Sequence, residues 1–414
     1  MKLKSLILGS ATAALAATGA QAADAIIIAE PEPVEYVRVC DVYGAGFFYI
    51  PGTETCLRIG GEIRYQVGTA GHSDIAVTRN PISAGPSHLH GHKGLANDTW
   101  TSHSRARIYL DARSETELGL LRGYVRLDTG RTSGAPVTVD PTTSSIGLGT
   151  YLNHAWVSLG GFRAGWTDSA WFNAPNSGRA NTSSHSDDLF YAGYHQTHLI
   201  QYNFSGSNGL FATISLEDDN QAGQNYVPNV VGAIGVNQGW GAAWLKVGYD
   251  EDRRGTHPFT GAAIVDSGWG ATAGLHYNIP GAPGSSFRLL GFYADSDNTY
   301  NPMTGTGHAR WDAAGTGSGA PLVGGPEWSI MASYHHQFNA KFGASLGVQY
   351  FNDFYFSGTD ISTGLDGWAV EAVAVWTPVE NFTVRGEVVY SDFDTFDGRD
   401  GDSLSGWVRF SRFF

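Results

Sequence analysis

The sequence LRIGGEIRYQV at residues 57–67 alternates apolar and polar side chains, and this alternation decides the fold class. Successive side chains of a β-strand point to opposite faces of the sheet, so this segment would have one apolar and one charged face. The apolar face carries Leu57, Ile59, Ile63, Tyr65 and Val67, and the polar face carries Arg58, Glu62, Arg64 and Gln66. A strand with two unlike faces separates an apolar environment from a polar one.

Two later segments repeat this pattern. In the first, Ile108, Leu110 and Ala112 oppose Arg105, Arg107, Asp111 and Arg113, and in the second, Leu121, Val125 and Leu127 oppose Arg122, Arg126 and Asp128. Counting onward to residue 414 gives 16 candidate strands, joined alternately by short turns and by long loops such as residues 70–100. That arrangement is typical of an outer-membrane barrel. The sequence predicts an all-β protein, a transmembrane antiparallel β-barrel of 16 strands over residues 56–414.

Pairs of aromatic residues mark both ends of five candidate strands. They are Trp269 and Tyr277, Trp328 and Phe338, Phe342 and Tyr350, Trp368 and Trp376, and Phe382 and Tyr390. Every separation is even, so both aromatic rings share the apolar face of their strand. Eight residues span roughly 26 Å along a strand and about 20 Å of height when it is tilted, which approximates the apolar band between aromatic girdles. The alternative is a large secreted sandwich or propeller with an aromatic core.

The width and the closure of the sheet favour the membrane interpretation. Side chains cannot fill a barrel of 16 strands, so a polar, water-filled interior is the simpler solution. The last strand ends at Phe414, the final residue, and there it could pair with the first strand. Such pairing would remove both exposed edges.

The composition and the first residues limit the protein classes to which the chain can belong. Only 15% of the residues are charged and 42% are hydrophobic, which excludes a disordered chain. Lys2 and Lys4, an apolar stretch and the small residues around Gln21 predict a signal peptide at residues 1–22, with a membrane anchor as the alternative. A formal net charge of −14 argues against a nucleic-acid partner.

The chain has few candidates for redox, metal or catalytic chemistry. Cys40 lies in an N-terminal segment, residues 23–55, and the oxidising exterior favours a disulfide with Cys56 over two free thiols. His88, His90 and His92 alternate in the first long loop, where exposed histidines are more common than metal ligands. No local hydrolase or phosphate-binding motif occurs, so we predict no catalytic residue and no cofactor.

Both ends of the chain resemble a known family. The segments EYVRVCD at residues 35–41, YGAGFFYIPGTETCLR at residues 43–58 and VRF at residues 408–410 look like the alphaproteobacterial general porins. The resemblance implies a barrel embedded in outer-membrane lipid, usually a homotrimer, that passes small hydrophilic solutes and ions. It also implies that the third long loop folds into the lumen and narrows the pore.

A charged constriction is the corresponding site prediction. If the polar face lines water, a basic wall would be formed by Arg58, Arg64, Arg105, Arg107, Arg122 and Arg126. The third long connection supplies Asp168, Asp187 and Asp188, which would face that wall and create a transverse field that filters ions. The alternative is that these residues are simply solvated. A hydrolase assembled from separate strands and a plugged structural or adhesin barrel are the other function classes.

Overall fold

The computed structural model describes residues 38–69, 77–79, 100–132, 150–172, 185–187, 190, 192–219, 226–303, 309–312, 322–396 and 401–414. Over these residues the chain forms one sheet of 19 strands. The strands are β1 Phe47–Tyr49, β2 Cys56–Thr69, β3 Val77–Arg79, β4 Trp100–Thr116, β5 Gly119–Thr132, β6 Thr150–Leu159, β7 Phe162–Asp168, β8 Gln196–Ser205, β9 Leu210–Glu217, β10 Asn229–Gln238, β11 Gly241–Thr256, β12 Ala263–Asn278, β13 Ser286–Ala294, β14 Ala309–Asp312, β15 Leu322–Asn339, β16 Phe342–Phe356, β17 Gly367–Val379, β18 Phe382–Phe393 and β19 Asp402–Phe413.

The 16 longer strands form a closed antiparallel barrel. Each pairs with its neighbours in sequence, and β19 pairs with β2 from Gly406 opposite Thr69 to Phe413 opposite Glu62. Beyond the last strand, the Gly61 amide donates to the Phe414 carbonyl at 3.0 Å and the Phe414 amide donates back at 3.2 Å. The predicted strand number and the predicted closure are confirmed. None of the helices in the described part of the chain is long and apolar enough to cross a membrane.

Three short strands, β1, β3 and β14, were not predicted. Strand β1 pairs with the beginning of β2. Strand β3 lies in the first long loop and pairs with β14, which lies in the loop between β13 and β15. Segments of three or four residues are too short for an alternating pattern to be recognised, and the pairing of two distant loops leaves no local signal in either loop.

The apolar side chains of the barrel point outward. Ile59 is 52% exposed and Leu346 is 62% exposed, whereas Glu62 is only 4% exposed. The girdle residues Trp269 and Trp376 are also exposed on the outer face. This arrangement inverts a soluble barrel, and it agrees with the prediction that the apolar face meets lipid.

The interior is less uniformly polar than the sequence suggests. Residues such as Trp244, Phe292, Met331 and Phe351 are buried inside the barrel wall, and Tyr300 from a long loop packs with them. These side chains lie on strands from β11 to β16, opposite the charged strands β2, β4 and β5. This side of the lumen therefore mixes buried apolar residues with polar ones such as Lys246 and Arg288, whereas the other side is predominantly charged.

The N-terminal segment is tied to the first barrel strand. A 3₁₀ helix at Asp41–Tyr43 precedes β1, and a disulfide joins Cys40 to Cys56 with the Cα atoms 6.0 Å apart. The predicted disulfide is therefore present. Both cysteines are buried with Phe47. The predicted signal peptide, residues 1–22, lies outside the described residues.

The lipid-facing assignment predicts a depth-dependent cost of adding charge. Leu346 lies midway between the girdle residues Phe342 and Tyr350, whereas Val379 ends β17, and each is 62% exposed. We expect Leu346→Arg to lower the free energy of unfolding by about 2–4 kcal/mol and Val379→Arg by about 0–1 kcal/mol. Urea unfolding in lipid vesicles measures both values. Equal costs would contradict the assignment of the outer face.

Candidate pore constriction

The third long loop leaves the barrel wall after β7 and returns at β8, and Glu217 on β9 holds the start of this loop. The Ser169 hydroxyl donates to Glu217 Oε2 at 2.6 Å, and the Ala170 amide donates to Glu217 Oε1 at 2.9 Å. His195 Nε2, at the end of the loop, lies 3.8 Å from the same carboxylate. One buried carboxylate therefore holds both ends of the loop.

Lys246 on β11 provides a second support for the base of the loop. Its Nζ donates to the backbone carbonyls of Trp171 at 2.7 Å and Phe172 at 3.1 Å, and the side chain is buried. The loop between β13 and β15 adds a third support, because the Gly193 amide donates to the Pro302 carbonyl at 2.8 Å. Two long loops thus contact each other inside the barrel.

Residues 185–187 carry the third loop to the other side of the barrel. His185 Nδ1 lies 2.7 Å from the Ser333 hydroxyl on β15, and Nε2 lies 2.8 Å from the Ser286 hydroxyl on β13. The Arg385 guanidinium on β18 donates to the His185 carbonyl at 2.5 Å. These strands lie across the barrel from β7 and β8 in the order of pairing. The described residues 185–187 therefore contact the wall opposite the base of their loop.

We call residues 185–187 the tip of the third loop. Ser186 and Asp187 in this tip contact strands on both sides of the barrel closure. The Ser186 hydroxyl and the Asp187 amide both donate to Glu387 on β18, at 3.1 and 2.8 Å. The Asp187 carboxylate pairs with Arg409 on β19 and lies 4.0 Å from Arg64 on β2. Asp187 is 45% exposed, so its carboxylate also faces solvent.

The charged wall beside the tip is a network of alternating charges. Glu62 accepts from Arg64 and Arg105, both at 2.9 Å. Asp128 accepts from Arg107 at 2.8 Å and lies 3.8 Å from Arg126. We call Arg64, Arg105, Arg107 and Arg126 the arginine ladder. Glu62 and Asp128 are almost fully buried, as is Arg105, whereas Arg64, Arg107 and Arg126 retain some exposure, so the ladder presents positive charge through these three arginines.

The structure places the predicted site residues in several different locations. Four of the six predicted arginines form the ladder, whereas Arg122 pairs with Asp111 at 2.8 Å, nearer the short turns. Arg58 is exposed and lies 3.5 Å from the Tyr109 hydroxyl. Asp168 accepts from Gln196 at 3.0 Å at the base of the loop. Asp188 and the candidate metal ligands His88, His90 and His92 lie outside the described residues.

Sequence reasoning missed the residues that hold the loop. Lys246 stands between Leu245 and Val247, and Arg385 and Glu387 alternate with apolar residues, so each reads as an ordinary lumen-facing residue. Their alternation with apolar neighbours could identify them as lumen-facing but not as loop contacts. The alternation around Glu217 likewise marks it as lumen-facing without showing that it contacts the loop. Which lumen residue meets which loop depends on the path of the loop.

A closed 16-stranded barrel with an apolar outer face and a charged interior defines a channel of the bacterial outer membrane. The porin subfamily model matches residues 24–408. Porin Omp2b of Brucella suis biovar 1 is 32% identical to this chain, with 100% of both chains covered. Porin Omp2a of Brucella ovis is 40% identical over 60% of this chain and 71% of that protein. The chain belongs to the porin family and is an outer-membrane porin.

Solved structures support the same fold. The outer membrane channel DcaP of Acinetobacter baumannii matches with a TM-score of 0.59 and 15% identity, over 88% of this chain and 99% of that chain. The complex of Salmonella typhi OmpF with daunomycin matches with a TM-score of 0.55 and 11% identity, over 87% of this chain and 98% of that chain. At these identities the likeness concerns the fold alone.

The environment of His185 predicts that acid weakens the contact of the loop tip with the wall. Burial and the positive charge of Arg288 lower the pKa of His185 from 6.5 to about 2. The other groups that oppose its protonation are His335, His276 and Arg385. A detached tip would regain the ordinary pKa, so detachment takes up a proton. The contact is therefore fully stable above pH 6.5 and loses stability progressively as the pH falls toward 2.

Open-channel current noise in planar bilayers tests this prediction. We expect noise from tip motion to increase between pH 7 and pH 4 in the wild-type channel, and His185→Gln to abolish most of that increase. His257→Gln is the control, because His257 lies in a different loop, the short connection between β11 and β12. An increase of the same size in all three proteins would contradict the role of His185.

Proposed function

We propose that this porin is a general diffusion channel for small hydrophilic solutes and ions, and that its narrowest passage runs between the arginine ladder and the tip of the third loop. The observation that supports this most directly is the position of Asp187. It belongs to the loop between β7 and β8, and its carboxylate pairs with Arg409 and Arg64 across the barrel. A loop that crosses the lumen reduces its cross-section at that level.

The charges around this passage give it an electrostatic character of its own. Six guanidinium groups surround four carboxylates in the described residues of the ladder and tip: Arg64, Arg105, Arg107, Arg126, Arg385 and Arg409 against Glu62, Asp128, Asp187 and Glu387. Charges farther away than about 8 Å are largely screened at physiological salt. The passage therefore responds to these groups more than to the acidic net charge of the chain.

Asp187→Asn is the test of this constriction. The carboxylate is the partly exposed acid of the cluster, so its removal takes a negative charge directly from the ion path. At about 1 kcal/mol for unit charges 4 Å apart in water, we expect the cation-to-anion permeability ratio to fall by up to about fivefold. Reversal potentials across planar bilayers in a salt gradient measure the ratio.

Glu380→Gln is the matched control, because Glu380 is an exposed acid in a short turn and loses the same charge. Its permeability ratio should equal that of the wild type. If Asp187→Asn leaves the ratio unchanged while the channel conducts, Asp187 does not line the narrowest passage. If the wild type shows no stepwise conductance, the channel itself is refuted.

We also propose that the chain has no catalytic activity. Liposome swelling with sugars of graded size separates the alternatives, because an open channel admits small sugars and excludes large ones. Phospholipid hydrolysis without swelling would favour an outer-membrane hydrolase. Neither swelling nor hydrolysis would favour a plugged structural or adhesin barrel.

We propose in addition that three copies of the chain assemble through the wall around β7 to β9. Strand β7 has 7 residues and β9 has 8, fewer than the roughly 9–11 that a membrane strand needs. The outer face here carries the exposed Ile200, Tyr202 and Phe204, and a cavity of about 470 Å³ opens beside Ile200. A neighbouring subunit would cover this low part of the wall, and the family resemblance supplies the number three.

Ile200→Arg tests the location of this interface. We expect a buried arginine between subunits to dissociate the trimer into monomers, as seen by light scattering in detergent. Val388→Arg is the matched control, because Val388 is similarly exposed but lies on β18, away from the proposed interface. A trimeric Ile200→Arg protein, or monomers from both variants, would contradict the placement.

A further inference from the structure

Arg163 on β7 differs from the paired arginines of the lumen wall, such as Arg113 and Arg122. It pairs in register with Ser158 on β6 and Gln201 on β8, so it shares the lumen-facing side of the wall with the buried Gln201. Arg113 and Arg122 share the carboxylate of Asp111. For Arg163, by contrast, no carboxylate lies within ion-pair distance among the described residues, and its Nε is buried without a hydrogen-bond partner.

An aromatic ring holds the Arg163 guanidinium in place. Its Cζ lies 4.2 Å from the centroid of the Trp156 ring, and Arg122 lies over the same ring at 4.9 Å. Tyr124 stacks on Trp156 with the ring centroids 5.2 Å apart. A guanidinium that stacks on a ring keeps its N–H groups in the guanidinium plane, where they can reach a carboxylate or phosphate. The aromatic support therefore orients an arginine that forms no ion pair with any carboxylate in the described part of the chain.

A cavity of about 340 Å³ lies beside this arginine, at the end of the barrel that carries the short turns. Its lining includes Ser158, Gly160, Gly161, Arg163, Asn203 and Ser205. The Asn203 side chain is partly occupied, because its oxygen accepts from Gln201 and Thr213 and one of its two N–H groups donates to the Gly161 carbonyl. The side-chain groups of the cavity that can donate to a ligand are therefore the guanidinium, the two serine hydroxyls and the second N–H of Asn203.

The turn between β6 and β7, at Gly160 and Gly161, lies close to β8 and forms part of the cavity lining. The Asn203 amide donates to the Gly161 carbonyl at 2.7 Å, and a Cβ atom at Gly161 would lie 2.4 Å from the Asn203 carbonyl oxygen. A larger residue at position 161 would push the turn away from β8. The glycine keeps the cavity small and its polar lining close together.

We propose that this cavity binds the oxyanion group, a carboxylate or a phosphate, of small solutes as they pass the short-turn mouth of the pore. The proposal rests on the proposed channel function and names a solute class that the channel would retain briefly. A guanidinium fork binds a carboxylate or a phosphate through two parallel hydrogen bonds. The cavity is open to solvent, so binding is weak, which a channel requires because the solute must also leave.

Block of the potassium chloride current by succinate, added on the short-turn side in planar bilayers, tests this proposal. We expect Arg163→Gln to raise the concentration for half-block about tenfold. Arg163→Lys keeps the charge but loses the fork, so we expect an intermediate value. Ser205→Leu fills the cavity without a charge change and should also weaken the block.

Two controls separate the site from general electrostatics. Lys341→Gln removes a positive charge from an exposed short turn outside the cavity and should leave the block unchanged. Succinamide has the size of succinate without its charge and should not block the wild-type channel. Glycerol phosphate in place of succinate tells whether the site also accepts phosphate.

The outcomes distinguish this proposal from the channel function. Equal block of the wild type and Arg163→Gln, in channels that conduct normally in potassium chloride, overturns the oxyanion site and leaves the porin function standing. Equal weakening by Lys341→Gln overturns the site as well, because it would reduce the effect to surface charge. Absence of any wild-type conductance refutes the channel instead.

Discussion

The requirement that no backbone polar group face lipid unpaired governs this molecule. An open sheet would leave two edges of unsatisfied amides and carbonyls in the hydrocarbon, and the barrel removes both by pairing β19 with β2. The last residue takes part in this closure through its hydrogen bonds with Gly61. The inversion of apolar and polar faces follows, because a closed wall of 16 strands has lipid outside and space for water inside.

The width that closure imposes creates a second problem, which the long loops solve. Side chains from the wall cannot fill so wide a lumen, and loop backbone brought inside must find hydrogen-bond partners away from bulk water. Glu217 and Lys246 meet this need by accepting from and donating to backbone groups of the third loop. Their charges are stabilised by these contacts, while the arginine ladder is stabilised by Glu62 and Asp128.

The alternation of residues 57–67 was sufficient to predict the inward direction of Glu62 and Arg64, because strand periodicity is a local property. Its repetition in later segments predicted the barrel, and the last strand, which ends at Phe414, predicted the closure. Periodicity could not separate Arg122, which pairs with Asp111, from Arg107, which pairs with Asp128, since height along the barrel depends on strand stagger. The aromatic stretch that includes Phe351, Phe354 and Phe356 has no alternation, so its burial inside the barrel could not be predicted from the sequence. The contacts of Lys246 required the path of a loop 75 residues away in sequence.

The tip of the third loop contacts both sides of the place where the barrel closes. Asp187 pairs with Arg409 on the final strand and approaches Arg64 on the first, while its amide binds Glu387 on the strand before the last. The approach of Asp187 to Arg64 requires that the two ends of the chain have met. Completion of the cylinder thereby adds a contact that holds the loop in place, and a chain whose termini remain apart lacks it.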